Sequence, residues 1–265
     1  MSRIILFPFS MESSQSDARI QERIEELLPD VDCFRVYPNR NYRPTRGDVI
    51  VGWGAGDRPD WHGRVPAGVA YLNPPTAVMK CVNKTASFRA FAAAGVRCVP
   101  FTTSRTEAAA WAQEGHRVMA RNLTEGRDGE GAQVLNTIEE VRDSGAGLFT
   151  LFIPKAAEYR VHVFNGNIIG VQQRTRRDGA TITNHHIRTS SNGWGLTRSW
   201  DVSVSAELRN NAVSAVAALG LQFGAVDVGV DRFGRDFVFE VNSAPEVLGE
   251  GVNRYANAIV AQHAA

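Results

Sequence analysis

The chain has 265 residues, of which 43% are hydrophobic and 22% charged, and its formal net charge is +1. This composition is typical of a soluble globular protein and gives no indication of a nucleic-acid or membrane surface. No apolar run approaches the roughly 20 residues that span a bilayer. Three widely spaced cysteines, Cys33, Cys81 and Cys98, argue against a disulfide framework or a zinc site and favour a reducing cytoplasm.

Residues 1–82 predict a small α/β domain. Strand-like runs at 3–7, 31–37, 49–53 and 70–72 alternate with one helical pattern at 16–28, which indicates a parallel sheet. Asn73-Pro-Pro closes this unit. The run Gly52-Trp-Gly-Ala-Gly is not followed by the helix of a dinucleotide fingerprint, so we interpret it as a loop that lines a substrate cleft.

The middle of the chain predicts two short helices and a glycine-rich hairpin. Asn83-Lys84 opens a helix that Gly95 ends, an extended segment follows, and residues 107–114 form the next helix. A strand ending in Arg121 then leads to a loop that contains Gly126, Gly129 and Gly131. Its backbone amides could lie over phosphates, although a plain hairpin turn explains the local pattern equally well.

Two paired strands with polar residues follow a buried strand at 147–154. Because strand side chains alternate, Glu158, Arg160 and His162 share one face, and Arg174 ends the return strand. We expect an active-site role for Arg160 and Arg174. A solvated strand face is the expectation for His162 and Gln172.

Residues 181–194 form a polar loop with Arg188 and Asn192, before helices at 205–219 and 253–263. The adjacent His185 and His186 point apart on extended backbone, which indicates loop residues rather than a metal site.

The last strands, at 225–230 and 237–241, read as a β-hairpin around Asp231-Arg-Phe-Gly. Glu240 and Asn242 share one face, and pairing near the turn places Asp227 opposite them. A solvated polar face is the simpler alternative. A carboxylate inside an apolar strand is costly unless it is paired or binds metal, so we favour an oxygen-ligand site suited to Mg²⁺.

The segments Gly-Ala-Val-Asp-Val and Phe-Glu-Val-Asn-Ser-Ala-Pro of this hairpin resemble the metal-binding hairpin of the ATP-grasp ligases. They look most similar to the branch that contains the ribosomal-protein glutamate ligase and many phage-encoded relatives. The resemblance covers about residues 73–265. It implies an α/β fold of the ATP-grasp type, with a pre-ATP-grasp domain at 1–82, a small lobe with the phosphate loop at 83–153, and a large lobe with the metal hairpin at 154–265.

The resemblance also implies ligands and roles for particular residues. Asp227, Glu240 and Asn242 are expected to hold two Mg²⁺ ions, with Mn²⁺ as an alternative, against the phosphates of ATP. Catalytic charge neutralisation is expected from Arg160, Arg174 and Arg188. Nucleotide contacts are expected from Lys84, Arg121, Gly126, Gly129, Gly131, Leu151, Phe152, Ile153, Glu158 and Asn192. Two positions depart from the family pattern, because Arg121 replaces a usual lysine and Leu151 a usual glutamate.

The resulting hypothesis is an ATP-dependent carboxylate–amine ligase that works through an acylphosphate. Its partners would be ATP, a carboxylate and an amine acceptor (an amino acid, peptide or protein terminus), with neither nucleic acid nor membrane, and a homodimer is left open. Two alternatives stand beside it: a nucleotide-binding protein that has lost ligation and acts through a partner, and an enzyme that stops at phosphorylation.

Overall fold

A computed structural model describes residues 2–10, 15–38, 40–122, 131–182 and 186–264. Within these residues the helices are α1 (Ser16–Leu27), α2 (Pro75–Val82), α3 (Lys84–Ala93), α4 (Arg105–Gln113), α5 (Ile138–Asp143), α6 (Ala206–Ala218) and α7 (Glu250–His263). The strands are β1 (Ile4–Pro8), β2 (Cys33–Arg35), β3 (Val49–Trp53), β4 (Ala70–Leu72), β5 (Phe101–Thr102), β6 (Val118–Arg121), β7 (Ala132–Leu135), β8 (Leu148–Leu151), β9 (Lys155–Phe164), β10 (Asn167–Arg176), β11 (Trp194–Leu196), β12 (Phe223–Asp231) and β13 (Asp236–Asn242). None of these described helices combines the length and apolar character that a bilayer crossing requires.

The N-terminal strands form a parallel sheet in the order β2-β1-β3-β4, which confirms the predicted α/β pattern. β1 and β3 are buried along their whole length, as expected when both faces of a parallel sheet are covered. On one face the sheet packs with α1 and with the C-terminal helix α7, which itself lies against α1. The N-terminal sheet therefore shares its core with the end of the chain.

Gly54 brings the carboxyl end of β3 against the segment that follows β13. Its φ is +74°, and a Cβ added there would lie 2.7 Å from the Cβ of Ala244. The left-handed backbone and the close approach both require glycine. The glycine-rich loop that the sequence assigned to a substrate cleft thus contacts Ala244, at the strand ends where open α/β sheets bind their ligands.

A small antiparallel sheet, in the order β5-β8-β6-β7, has its own core with α4 and α5. A larger antiparallel sheet follows the order β11-β10-β9-β12-β13. Its apolar side chains, including Val161, Val226 and Val241, pack with α2, α3 and α6. Strand alternation turns the neighbouring polar residues of β9, β12 and β13 to the opposite face, and these residues form the site described below.

The structure differs from the sequence prediction at three places. α2 starts at Pro75, where only a closing turn was predicted; proline suits the first helical position because no N–H donor is needed there. The strand predicted at 31–37 is limited to β2. α3 packs with the large sheet and α6 rather than with the core of the small sheet. One hydrophobic cluster therefore contains residues from both the predicted small lobe and the predicted large lobe. The domain boundaries stay predictions.

Candidate active site

The three polar residues of the C-terminal hairpin line the same cavity. Asp227 on β12 lies directly opposite Glu240 on β13, and Ala225 lies opposite Asn242. Phe239 is an extra residue between Val238 and Glu240, so the hairpin carries a β-bulge beside the site. Bulges redirect side chains and are over-represented next to active sites.

Arg160 holds the carboxylate of Asp227. The two residues are opposite each other on β9 and β12, and Nε and a terminal nitrogen of Arg160 donate to the two oxygens of Asp227 at 2.7 and 2.8 Å. Burial would raise the pKa of Asp227, but the charges of Arg160 and Arg174 outweigh it and lower that pKa to about 2. Asp227 is therefore ionised at neutral pH.

Glu158 is the centre of a second buried ion-pair group. One of its oxygens accepts from Lys155 Nζ at 2.6 Å, and the other lies 2.8 Å from Arg174 Nε. Arg174 also reaches Asp227 at 3.5 Å and so joins the two groups. The nucleotide contact predicted for Glu158 would therefore be made by an oxygen that already accepts from a cation.

Lys84 reaches the site through Glu240. The side chain of Asn83 accepts from the Ala86 N–H and caps α3 at this point, which fixes the start of the helix. Lys84 Nζ then lies 3.0 Å from Glu240 Oε2. Lys84 is thus placed behind Glu240 rather than on the cavity wall.

The cavity has a volume of about 430 Å³, a size typical of small-molecule sites. The predicted site residues on its wall are Arg121, Leu151, Phe152, Ile153, Glu158, Arg160, Arg174, Arg188, Asp227, Glu240 and Asn242. Lys84, Gly131 and Asn192 lie off the wall, and Gly126 and Gly129 fall outside the described residues.

Arg121 ends β6 at the base of the predicted phosphate loop. The Asn122 N–H donates to the Gly131 carbonyl at 3.0 Å and closes this base. Burial lowers the pKa of Arg121, although Glu240 acts in the opposite direction. Its buried Nε has no hydrogen-bond partner in the described part of the chain, so it can still donate to a bound anion.

Residues 151–153, called the hinge because they end the predicted small lobe, are already partly hydrogen-bonded. The Leu151 N–H donates to Pro100 and the Phe152 N–H to Arg117, both at 2.9 Å. Backbone hydrogen bonds to the base of a nucleotide would therefore involve the Ile153 N–H and the hinge carbonyls. The ring of Phe152 carries the Arg117 guanidinium 4.1 Å from its centroid and the edge-on ring of His186 at 5.0 Å.

Arg188 and Asn192 have different positions in their loop. Arg188 lines the cavity, donates to the Lys155 carbonyl at 2.9 Å and lies over the Trp194 ring at 4.6 Å. Asn192 is buried and donates to the Ile187 carbonyl at 2.6 Å. Its amide therefore stabilises the loop.

The expectation of a solvated face for His162 and Gln172 is wrong, since both are buried. The two ring nitrogens of His162 lie 3.1 Å from the Tyr255 hydroxyl and 3.3 Å from Gln172 Oε1. α7 and the ring of Trp200 cover this face. Burial, together with Arg160, lowers the pKa of His162 to about 3, so the imidazole is neutral.

The sequence analysis missed two charged residues on the cavity wall, Lys155 and Glu246. The i,i+3 spacing of Lys155 and Glu158 could have indicated that Lys155 lies near the site. Glu246 directly follows the Asn242-Ser-Ala-Pro245 motif. It is exposed, and no described residue forms an ion pair with it, whereas Glu158, Asp227 and Glu240 are all paired.

The donor set of the hairpin suits a hard cation. Two carboxylates and an amide provide oxygen ligands of the kind that Mg²⁺ prefers, with water and phosphate completing its shell. Among the described residues, no group of three or more histidine, cysteine or acidic side chains is placed to hold a metal ion, so a metal here would depend on Asn242 as well. The residues fit such an ion in chemistry, while Arg160 and Lys84 now hold the carboxylates.

No protein-family model and no curated protein sequence matches this chain. Solved structures do match it over its whole length. D-alanyl-alanine synthetase A from Vibrio cholerae O1 biovar eltor str. N16961 superposes with a TM-score of 0.70 at 15% identity, covering 100% of this chain and 99% of that one. D-cycloserine synthetase DcsG gives 0.68 at 15% identity, with coverage of 98% and 99%.

The ATP-grasp ligase PsnB, in complex with a phosphomimetic variant of its minimal precursor, Mg and ADP, gives a TM-score of 0.67 at 12% identity. The match covers 98% of each chain. At such identities a structural likeness establishes the fold and no more. The chain has the ATP-grasp fold.

Proposed function

We propose that this chain is an ATP-dependent ligase that joins a carboxylate to an amine and releases ADP and phosphate. The observation that carries the proposal is the cavity wall, where Asp227, Glu240 and Asn242 face a group of arginines. The likeness to solved ligases supports it, since ATP-grasp ligase PsnB was solved with Mg and ADP. The branch of the ribosomal-protein glutamate ligase remains our choice within that fold.

A carboxylate lacks a good leaving group, and ATP supplies one. The substrate oxygen attacks the γ-phosphorus, the bond to the β-phosphate oxygen breaks, and an acylphosphate and ADP result. The amine nitrogen then attacks the acyl carbon, phosphate leaves, and the nitrogen loses its proton. Negative charge grows on the phosphoryl oxygens in the first step and on the acyl oxygen in the second, so fixed positive groups lower both barriers.

Different residues on the cavity wall would bind different parts of ATP. The nucleotide base would lie at the hinge, between Leu151, Phe152 and Ile153. Arg121, with its unpartnered Nε, would bind phosphate. Bound Mg²⁺ or Mn²⁺ would neutralise phosphate charge beside the hairpin ligands.

At the acyl end, Arg160, Arg174 and Arg188 would hold the transferring phosphoryl group and the acyl oxygen. Their guanidiniums present planar pairs of donors that match phosphate and carboxylate oxygens.

Glu246 suits the amine side of the reaction. Most charged groups on the wall are cations that repel an ammonium, and Glu246 is the wall carboxylate without an ion-pair partner among the described residues. It follows the metal hairpin in the chain, which supports a role at the acyl end of the cavity. We assign it to attracting the acceptor ammonium and taking its proton.

The acceptor class is an amino acid, a peptide or a protein terminus. The three free cysteines support a reducing, cytoplasmic setting for the reaction.

Release of ADP that requires both substrates tests this function. The purified chain is incubated with ATP and Mg²⁺ while amino acids and short peptides are screened singly and in pairs. A ligase gives ADP and an amide product in equal amounts, and only when an amine is present. A nucleotide-binding protein without ligation gives no ADP with any pair. Phosphorylated product without amide indicates an enzyme that stops after phosphoryl transfer.

A further inference from the structure

Each carboxylate assigned to metal binding already has a cation as its partner. Both oxygens of Asp227 accept from Arg160, at 2.7 and 2.8 Å, and Glu240 Oε2 lies 3.0 Å from Lys84 Nζ. The Arg160–Asp227 pair is mostly buried, with side chains that are 16% and 9% exposed. A dication that binds these carboxylates must compete with two charged groups.

The net charge around the cavity makes that displacement unfavourable without another anion. The positive side chains on the wall or paired to it are Lys84, Arg121, Lys155, Arg160, Arg174 and Arg188, and the negative ones are Glu158, Asp227, Glu240 and Glu246. Six positive and four negative groups leave a surplus of two positive charges. A metal ion alone would increase this surplus, whereas a nucleotide polyphosphate reverses its sign.

We infer that Arg160 and Lys84 act as internal counter-ions that keep divalent metal out of the ligand-free site and release the carboxylates when phosphates arrive. This inference rests on the proposed function, because it takes Asp227 and Glu240 as the metal ligands. Guanidinium and ammonium groups both bind phosphate well, so the phosphates offer each cation a new partner. Metal and nucleotide then bind with positive coupling, each strengthening the other.

Equilibrium dialysis with Mn²⁺ tests the inference without any activity measurement. The metal retained by the protein is measured for the whole chain with and without ADP. Wild type is expected to retain little Mn²⁺ alone and to bind it at least about tenfold more tightly with saturating ADP. Lys84→Gln frees Glu240 and should bind Mn²⁺ alone at least about tenfold more tightly than wild type. Arg160→Gln should act in the same direction.

Lys80→Gln is the matched control, because it makes the same change in charge at an exposed position of α2. Thermal melts verify that each variant is folded, and Lys84→Gln serves as the test if Arg160→Gln unfolds. If wild type binds Mn²⁺ alone as tightly as Lys84→Gln, the counter-ion role is refuted while the metal site stands. If no protein retains Mn²⁺ even with ADP, the metal assignment itself fails and the inference with it.

Discussion

Replacing Arg160 measures how much the Arg160–Asp227 ion pair contributes to the stability of the fold. Arg160→Met keeps a long unbranched side chain but leaves the Asp227 carboxylate without its two hydrogen bonds. Arg174, at 3.5 Å, is then the nearest remaining cation. With side-chain exposures of 16% and 9%, water replaces little of the lost interaction.

The expected loss is about 3 kcal/mol in the free energy of unfolding. Removing one partner of a buried ion pair costs about 3–5 kcal/mol, and Arg174 keeps the value at the lower end. The double change Arg160→Met with Asp227→Asn removes both charges and should restore much of the stability.

The pH dependence of the loss identifies its cause. In wild type the lowered pKa of Asp227 stabilises the fold above about pH 4, and this contribution disappears as the pH falls toward 2. In Arg160→Met, burial raises that pKa, so protonation of Asp227 relieves its unpaired charge and the loss of stability relative to wild type should be smaller at pH 5 than at pH 7.

Urea unfolding at pH 7 and pH 5, followed by tryptophan fluorescence, measures these differences. A loss below about 0.5 kcal/mol for Arg160→Met, or a double variant less stable than the single one, would refute the reasoning.

Three further predictions concern other parts of the molecule. Because the pKa of His162 is lowered to about 3, the unfolded state binds an additional proton between about pH 3 and 6.5. Wild type should lose about 1.4 kcal/mol per pH unit from this group as the pH falls through that window, and urea unfolding of His162→Asn should show a smaller loss. Gly54→Ala should destabilise the fold by about 1–3 kcal/mol more than Gly234→Ala, since both have positive φ but only Gly54 meets a neighbouring Cβ. Glu246→Gln should raise KM for the amine at least about tenfold, measured by steady-state ADP release.

Each of these has an outcome that contradicts it. Equal pH slopes for wild type and His162→Asn would mean that His162 is not the group responsible. If Gly54→Ala and Gly234→Ala lose equal stability, the close approach of Gly54 to Ala244 does not explain the cost of the substitution. An unchanged KM for the amine, or an equal rise in KM for ATP, would exclude the role given to Glu246.

The features that could be predicted from the sequence are those that depend on local residue patterns. Strand alternation suffices to put Glu240 and Asn242 on one face, whereas the pairing of Asp227 with Glu240 depends on the bulge at Phe239, which the sequence analysis did not predict. The ATP-grasp fold followed from the same hairpin motif, since its residues carry the resemblance. The helix at Pro75 was missed because a Pro-Pro pair reads as a turn when the helical residues after it are few.

Contacts between distant segments could not be derived in this way. Arg160 and Asp227 are 67 positions apart and Lys84 and Glu240 are 156 apart, so no local spacing indicates either pair. The burial of His162 depends on α7 and Trp200, which cover a strand face that looks solvated in isolation. The roles of the cavity residues stay predictions until binding and activity are measured.

Glu240→Gln is the variant that tests the central claim most directly. It preserves volume and strand pattern but removes a charge that the metal site requires, and the side chain is 36% exposed, so folding should be little affected. Amine-dependent ADP release and thermal melts are measured for Glu240→Gln, Asn242→Asp and wild type. The account predicts that Glu240→Gln melts like wild type and loses activity by several orders of magnitude, with a smaller loss for Asn242→Asp. A Glu240→Gln protein that stays active, or that is inactive only because it unfolds, would contradict the metal assignment.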